Sequence, residues 1–353
     1  MGLPKISIAF RTAGISAIKR GERGIVALIL KDDTNLGMVT VTVEDEIPTN
    51  LSQTNTEQIR LALMGTVNPP KKVIAYILPT TAGYADAMVF LETVKWDYLA
   101  IPDIVDSDKY LIATWIKALR DTRGKKVKAV LPEFAPDSEG IINFATNDIK
   151  TASKIYSAKN YCSRIAGILA GLPLTISATY QALSEVEDVP HLTESDMNIA
   201  IDSGKLILFH DGEKVKIARA VNSLVSTTPD KGEDFKKIKI VDILDLIHTD
   251  VKKTSEDNYI GKVANSYDNK CLLISAIKSY FEALEMDGLL EKGKNSVYID
   301  IAVQANYLKS NGIDITGMNS QQIKEANTRD KVFLASNIKA MDAVEDIVLN
   351  IIV

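Results

Sequence analysis

Val73-Ile74-Ala75-Tyr76-Ile77-Leu78-Pro79 is an apolar, β-branched run of strand length stopped by a proline, and its recurrence decides the fold. The same signature returns at Tyr98–Ile101 before Pro102 and at Val127–Leu131 before Pro132. Between these runs lie helical periods, over Tyr84–Val94 and Asp108–Arg120. Three strand-and-helix units in series predict an α/β fold with a mostly parallel, doubly wound sheet.

Working toward the N-terminus, Asn55–Met64 reads as a helix, with Thr54, Asn55 and Thr56 as capping candidates and Gly65 beyond it. Ile25–Leu30 and Met38–Val43 are β-branched runs separated by Asp32-Asp33-Thr34-Asn35, a turn composition that predicts a hairpin. Ile6-Ser7-Ile8-Ala9-Phe10 reads as a short strand on a lead, Arg11 to Gly24, broken by Gly14, Gly21 and Gly24.

Working toward the C-terminus, Asp148–Ala170 reads as one long helix, and Asp211-Gly212 predicts a hairpin between Lys205–Phe209 and Val215–Ile217. The polar Lys231-Gly232 stretch is the best linker candidate. Helices follow at Ile238–His248 and Leu272–Met286, and strand character at Val297–Ala302, Val332–Leu334 and Ile347–Val353.

The chain has 353 residues, long enough for two or three domains. At 46% hydrophobic and 25% charged residues, global disorder is excluded. Lys and Arg number 41 against 46 Asp and Glu, a net charge of −5 without blocks of one sign, so electrostatic capture of nucleic acid is not expected. Cys162 and Cys271 match neither a disulfide framework nor a metal-ligand spacing, which fits a reduced, intracellular origin. No secretion signal is recognisable in Met1–Phe10, and no apolar run approaches the ~20 residues that cross a bilayer.

Phosphate-loop, dinucleotide, zinc-protease, CxxC and nucleophile-elbow motifs are missing. A triad assembled from His210, Asp211 and a serine has no support from spacing, because a triad is defined by geometry. Gly167 and Gly171, in Gly167-Ile168-Leu169-Ala170-Gly171-Leu172-Pro173, fall at a helix C-terminus, where close packing fits better than anion binding. A ligand site at the carboxyl ends of the parallel strands is the enzymatic alternative, with Asp103 and Glu133 just beyond two of them.

Ile347-Val348-Leu349-Asn350-Ile351-Ile352-Val353 is apolar on both faces of a strand. Exposed, it would be a sticky edge, so it must be covered, either in its own sheet or by strand addition to another copy. Apolar strands at both ends of the sequence, each on a charged or glycine-broken lead, suit the second arrangement. The leads are Arg11–Gly24 and Gly317–Lys331.

Several longer motifs resemble the contractile tail sheath proteins, nearest to the short sheath subunits of defective prophages and phage-tail-like bacteriocins. They are Met1-Gly2-Leu3-Pro4 with Ala17-Ile18-Lys19-Arg20-Gly21-Glu22-Arg23-Gly24, Leu99-Ala100-Ile101-Pro102, and the stretch from Ser163 to Thr175. Ala220-Val221-Asn222-Ser223-Leu224, Tyr259-Ile260-Gly261-Lys262-Val263-Ala264-Asn265 and Met341-Asp342-Ala343-Val344-Glu345 with the final strand complete the set.

The resemblance implies a structural subunit without catalytic, cofactor or metal residues, stacked as hexameric rings around an inner tube. Its expected partners are other copies of itself in a helical sheath, the inner tail tube protein, and baseplate and tail terminator proteins, with no nucleic acid and no membrane insertion. Assembly in the bacterial host cytoplasm, then release within a tail or tail-like particle, is implied as well. The implied architecture is an N-terminal linking arm (1–24), a small N-terminal α+β domain (25–95), and a central α/β domain of subtilisin-like fold (96–245). A C-terminal α+β domain (246–330) and a C-terminal linking arm (331–353) follow. Strand exchange is expected through Ile6, Ile8 and Phe10 and through Val348, Leu349, Ile351, Ile352 and Val353, with Gly14, Gly21, Gly24 and Gly317 as arm hinges.

Overall fold

The structure, a computed structural model, describes residues 17–352. It comprises two compact units. A sheet unit holds Gly21–Thr249 and the tail from Ala340; a helical unit holds Asp250–Lys339 and the described residues before Gly21.

The sheet unit opens with β1 (Ile25–Lys31), buried along nearly its whole length, then β2 (Gly37–Val41), which alternates in burial. Next come α1 (Gln53–Leu63), β3 (Lys72–Leu78), α2 (Ala85–Thr93), β4 (Tyr98–Ala100), α3 (Asp106–Asp121), β5 (Lys128–Pro132) and β6 (Ile141–Phe144). The chain continues through β7 (Ile149–Thr151), β8 (Ile155–Tyr156), α4 (Ala158–Gly171), β9 (Val186–Asp188), α5 (Glu194–Asp202), β10 (Lys205–Leu206), β11 (Leu208–His210) and β12 (Val215–Ile217).

Seven strands form one sheet in the order β10-β6-β5-β4-β1-β3-β2. All are parallel except β2, which pairs antiparallel with β3 at one edge. Successive residues of β1 face opposite cores. Val26, Leu28 and Leu30 pack in the cluster with Ile59 and Leu61 of α1 and Ile165 and Ile168 of α4. Ile25, Ala27 and Ile29 pack in the cluster with Leu91 of α2 and Ile112 and Ile116 of α3. Helices thus cover both faces, the reason β1 and β3 read as continuous apolar runs.

The doubly wound expectation is met, but local readings change. β1 and β2 are not a hairpin: β3 lies between them. The Asp32 turn instead ties to α1, with its carboxylate accepting from the Ser52 backbone N–H and from Asn55 Nδ2, both at 2.9 Å. These bonds hold Asp32 well below the usual carboxylate range. The α1 cap is Ser52, whose hydroxyl accepts from the Asn55 N–H, rather than Thr54, Asn55 or Thr56.

The single helix expected from Asp148 is a β7–β8 hairpin followed by α4. Ile149 pairs with Tyr156, and Thr151 N–H donates to Lys154 O at 2.9 Å to close the turn. The boundary expected at 95/96 falls inside the sheet, since β4 pairs with β1. Glycine at 167 and 171 permits close approach: a Cβ there would lie 2.2 Å from Ala62 O and 2.1 Å from Asn68 O respectively. The Asp211-Gly212 hairpin is present, with Gly212 at φ +102° between β11 and β12.

The chain passes into the helical unit within α6 (Ile238–Asn258). Lys231, read as a linker residue, belongs to the sheet unit, where its ammonium pairs with Glu139 at 3.0 Å. The helical unit then holds α7 (Tyr267–Met286), β13 (Ser296–Ile299), α8 (Ile301–Ser310), α9 (Ser320–Glu325) and β14 (Leu334–Asn337). β13 ends sooner than the reading Val297–Ala302 because Asp300 caps α8, accepting from the Val303 N–H at 2.9 Å. β14 pairs antiparallel with β13, so this unit runs to Lys339 instead of stopping at 330.

Candidate assembly segments

Among the residues expected to exchange strands or hinge, Ile6, Ile8, Phe10, Gly14 and Val353 lie outside the described residues. Gly21 begins the sheet unit. Gly24 is held in place: at φ +94° it suits glycine, its N–H donates to Asp97 Oδ2 at 2.8 Å, and its carbonyl accepts from Lys71 N at 2.7 Å. The residue read as a hinge is therefore the locked entry to β1. Gly317 lies in the turn between α8 and α9, with β14 still to come, so it does not stand at the base of the tail.

Next to Gly24, Arg23 anchors the entry. Its guanidinium pairs with Asp242 of α6 and donates to Leu172 O at 3.1 Å. Burial works against this charge, but Asp242 and Asp97 outweigh it and hold the Arg23 pKa above its usual value. Asp242 also accepts from Tyr98 Oη at 2.7 Å and pairs with Lys128 at 2.8 Å. Lys128 reaches Asp245, which receives a two-pronged contact from Arg120 at 2.9 and 3.0 Å. Burial would raise the Asp245 pKa; Lys128 and Arg120 reverse the effect and lower it. A chain of buried charges thus ties the start of β1 to the first turns of α6.

The tail is anchored to the same helix from the other end of the sequence. Lys237, just before α6, pairs with Asp342, and Lys239 Nζ donates to Met341 O at 2.6 Å. The Glu345 side chain is nine-tenths buried. It accepts from Ser177 Oγ at 2.9 Å and Thr179 Oγ1 at 2.6 Å, and pairs with Arg219 at 3.2 Å. Arg219 also grips Asp346 at 2.5 Å.

Immediately afterward the protection ends. Ile347, Val348, Leu349, Ile351 and Ile352 are 74–97% exposed and belong to no strand. Backbone pairing is also incomplete at the β13–β14 ribbon, a two-stranded sheet joined by no further described strand. Sequence reasoning found the apolar tail but missed its anchors. Glu345 and Asp346 carried the one available signal, two acids just before an apolar run.

Asp103 pairs with Lys159 at 3.2 Å and Glu133 accepts from Asn147 Nδ2 at 3.0 Å. A cavity of about 350 Å³, lined by Arg23, Gly24, Pro69, Lys71 and Gly171 among others, lies where β1 and β3 begin, opposite the carboxyl ends at which such sheets bind ligands. Among the described residues, no group of three or more His, Cys, Asp or Glu is placed to hold a metal ion, and no helix is long and apolar enough to cross a membrane.

Comparison with known proteins turns this arrangement into an identity. Residues 79–223 match the phage tail sheath protein central domain, and residues 230–353 match the phage tail sheath C-terminal domain. Over 351 residues the chain is 38% identical to the tail sheath protein of Clostridium phage phiCD119, covering 98% of each. The chain belongs to the phage tail sheath family.

Solved sheath structures share its fold. The crystal structure of the sheath tail protein from Desulfitobacterium hafniense superposes with a TM-score of 0.69 at 20% identity, over 84% of this chain and 94% of that one. The helical sheath of the anti-feeding prophage in its contracted state gives 0.73 at 13% identity, over 100% of this chain and 99% of that one. As a sheath protein, the chain has structural relatives, and its anchored, apolar tail is the feature to explain.

Proposed function

We propose that this sheath protein is the repeating subunit of a contractile tail, stacked as hexameric rings around an inner tube, which shortens to drive that tube through a cell envelope. Baseplate and terminator proteins would bound the sheath. In this reading the subunit assembles in the host cytoplasm, leaves it within the particle, and carries out no catalytic step. The observation that carries the proposal is the exposed Ile347–Ile352 run following a firmly held segment, an arrangement that makes sense when another copy covers the run.

The β13–β14 ribbon of a neighbouring copy suits the tail as acceptor. A two-stranded sheet is marginal alone and has two unpaired edges. One edge can take a C-terminal strand and the other an N-terminal strand, so each subunit would be linked to others by backbone pairing. Each buried large apolar side chain contributes about 1.5–3 kcal/mol, and each ordered residue costs about 1–2 kcal/mol of backbone entropy. A single arm is thus a modest link, and stiffness comes from many arms closing together, each raising the effective concentration of the next. Contraction would then repack compact bodies while the strand pairings persist.

Electron microscopy of protein lacking residues 347–353 tests the proposal. Monomers or short oligomers are expected. Sheaths of normal length would overturn the arm role, and a polymer found in only one length would favour a static shell.

A further inference from the structure

The tail's hold on the sheet unit is more elaborate than a disordered linker needs. Six consecutive residues, 341–346, carry two separate attachments: Lys237 and Lys239 on Asp342 and Met341 O, then the Ser177–Thr179–Arg219 socket on Glu345. The segment has no helix or strand to hold it, so these side-chain contacts fix its path. The socket is itself fixed, since Thr179 Oγ1 accepts from the Ala220 N–H at 3.0 Å and the Thr179 N–H donates to Ser177 Oγ at 3.1 Å. A nine-tenths buried carboxylate with three donors is costly to build for a passive tether, because each donor must be desolvated and aimed.

We propose that Glu345 is the positioning residue of a latch that sets where the assembly tail leaves the body and therefore how far it reaches. With the latch closed, the apolar residues Ile347–Ile352 span about 20 Å when extended. With it open, and with Lys237 and Lys239 still holding Asp342 and Met341, residues 343–346 would swing as well, adding about 13 Å. A tail of fixed reach admits one spacing between subunits, whereas a tail about two-thirds longer admits many. Its consequence for spacing rests on the strand-exchange reading above; the latch itself is a property of the single subunit.

The test compares the full chain with Glu345→Ala, Glu345→Gln and Arg219→Ala. In unassembled protein, amide exchange across 343–346 is expected to quicken at least about tenfold in Glu345→Ala, with the sheet strands unchanged. Glu345→Gln, which keeps the hydroxyl contacts and loses the ion pair, should fall between, and Arg219→Ala should resemble it. By electron microscopy, Glu345→Ala should give few sheaths or sheaths of uneven axial spacing. Unchanged exchange in both Glu345→Ala and Arg219→Ala would overturn the latch. So would wild-type spacing in Glu345→Ala when truncation at 347 abolishes assembly. Normal assembly after that truncation would instead overturn strand exchange, leaving the exchange measurement to decide the latch.

Discussion

Ile25-Val26-Ala27-Leu28-Ile29-Leu30 and Ile347-Val348-Leu349-Asn350-Ile351-Ile352 are nearly the same sentence in amino acids with opposite fates. The first lies at 0–2% exposure between helices on both faces of its sheet; the second stands open to solvent. Hydrophobicity alone therefore does not say which apolar run builds a subunit and which joins subunits. The difference is the company each keeps: β1 has β3, β4 and two helical layers, whereas the tail follows a polar anchor and joins no strand or apolar core among the described residues.

The largest effect should come from removing a partner inside the buried charge chain. Asp245→Ala leaves Arg120 and Lys128 buried without it, and a loss of about 3–5 kcal/mol is expected in urea unfolding. The same carboxylate gives a pH signature. Because its pKa is lower in the folded than in the unfolded protein, its contribution is full above about pH 4 and fades as the pH falls through the folded value. The unfolding midpoint of the intact protein should drop over that acidic range.

Leu28→Ala comes next, at about 2–5 kcal/mol, as a cavity opens in the core. Gly167→Ala should cost about 1–3 kcal/mol, since its methyl would press on the Ala62 carbonyl of α1. Leu349→Ala, the same truncation as Leu28→Ala, should change subunit stability by less than about 0.5 kcal/mol in urea, because its side chain touches water in the free chain. If Leu349→Ala destabilised the lone subunit as Leu28→Ala does, the contrast between building and joining segments would collapse.

The parallel core was legible in sequence because proline closed its strands and helical periods filled the gaps. The apolar tail was legible because an uncovered run of that length is a liability for a folded protein. Strand order was not. Nothing local in Ile25–Leu30 or Met38–Val43 records that β3 inserts between them, since pairing is settled by which strand is buried on both faces. The β7–β8 turn was hidden for a similar reason: a few strand residues beside a strong helix share its apolar character. The anchors were least legible, because Glu345 and its socket residues Ser177, Thr179 and Arg219 are over 120 residues apart and meet only in the folded chain.

β1 sits in the interior of the sheet with parallel neighbours on both sides, in register from Ile25 opposite Lys72 to Lys31 opposite Leu78. Tension applied at Gly24 along this strand would load its ladder in shear, all rungs sharing the force, instead of peeling them one at a time. The front of the polypeptide is thus built like a lap joint. Optical-tweezer extension from that point should show one high-force rupture, and stepwise yielding at low force would contradict it.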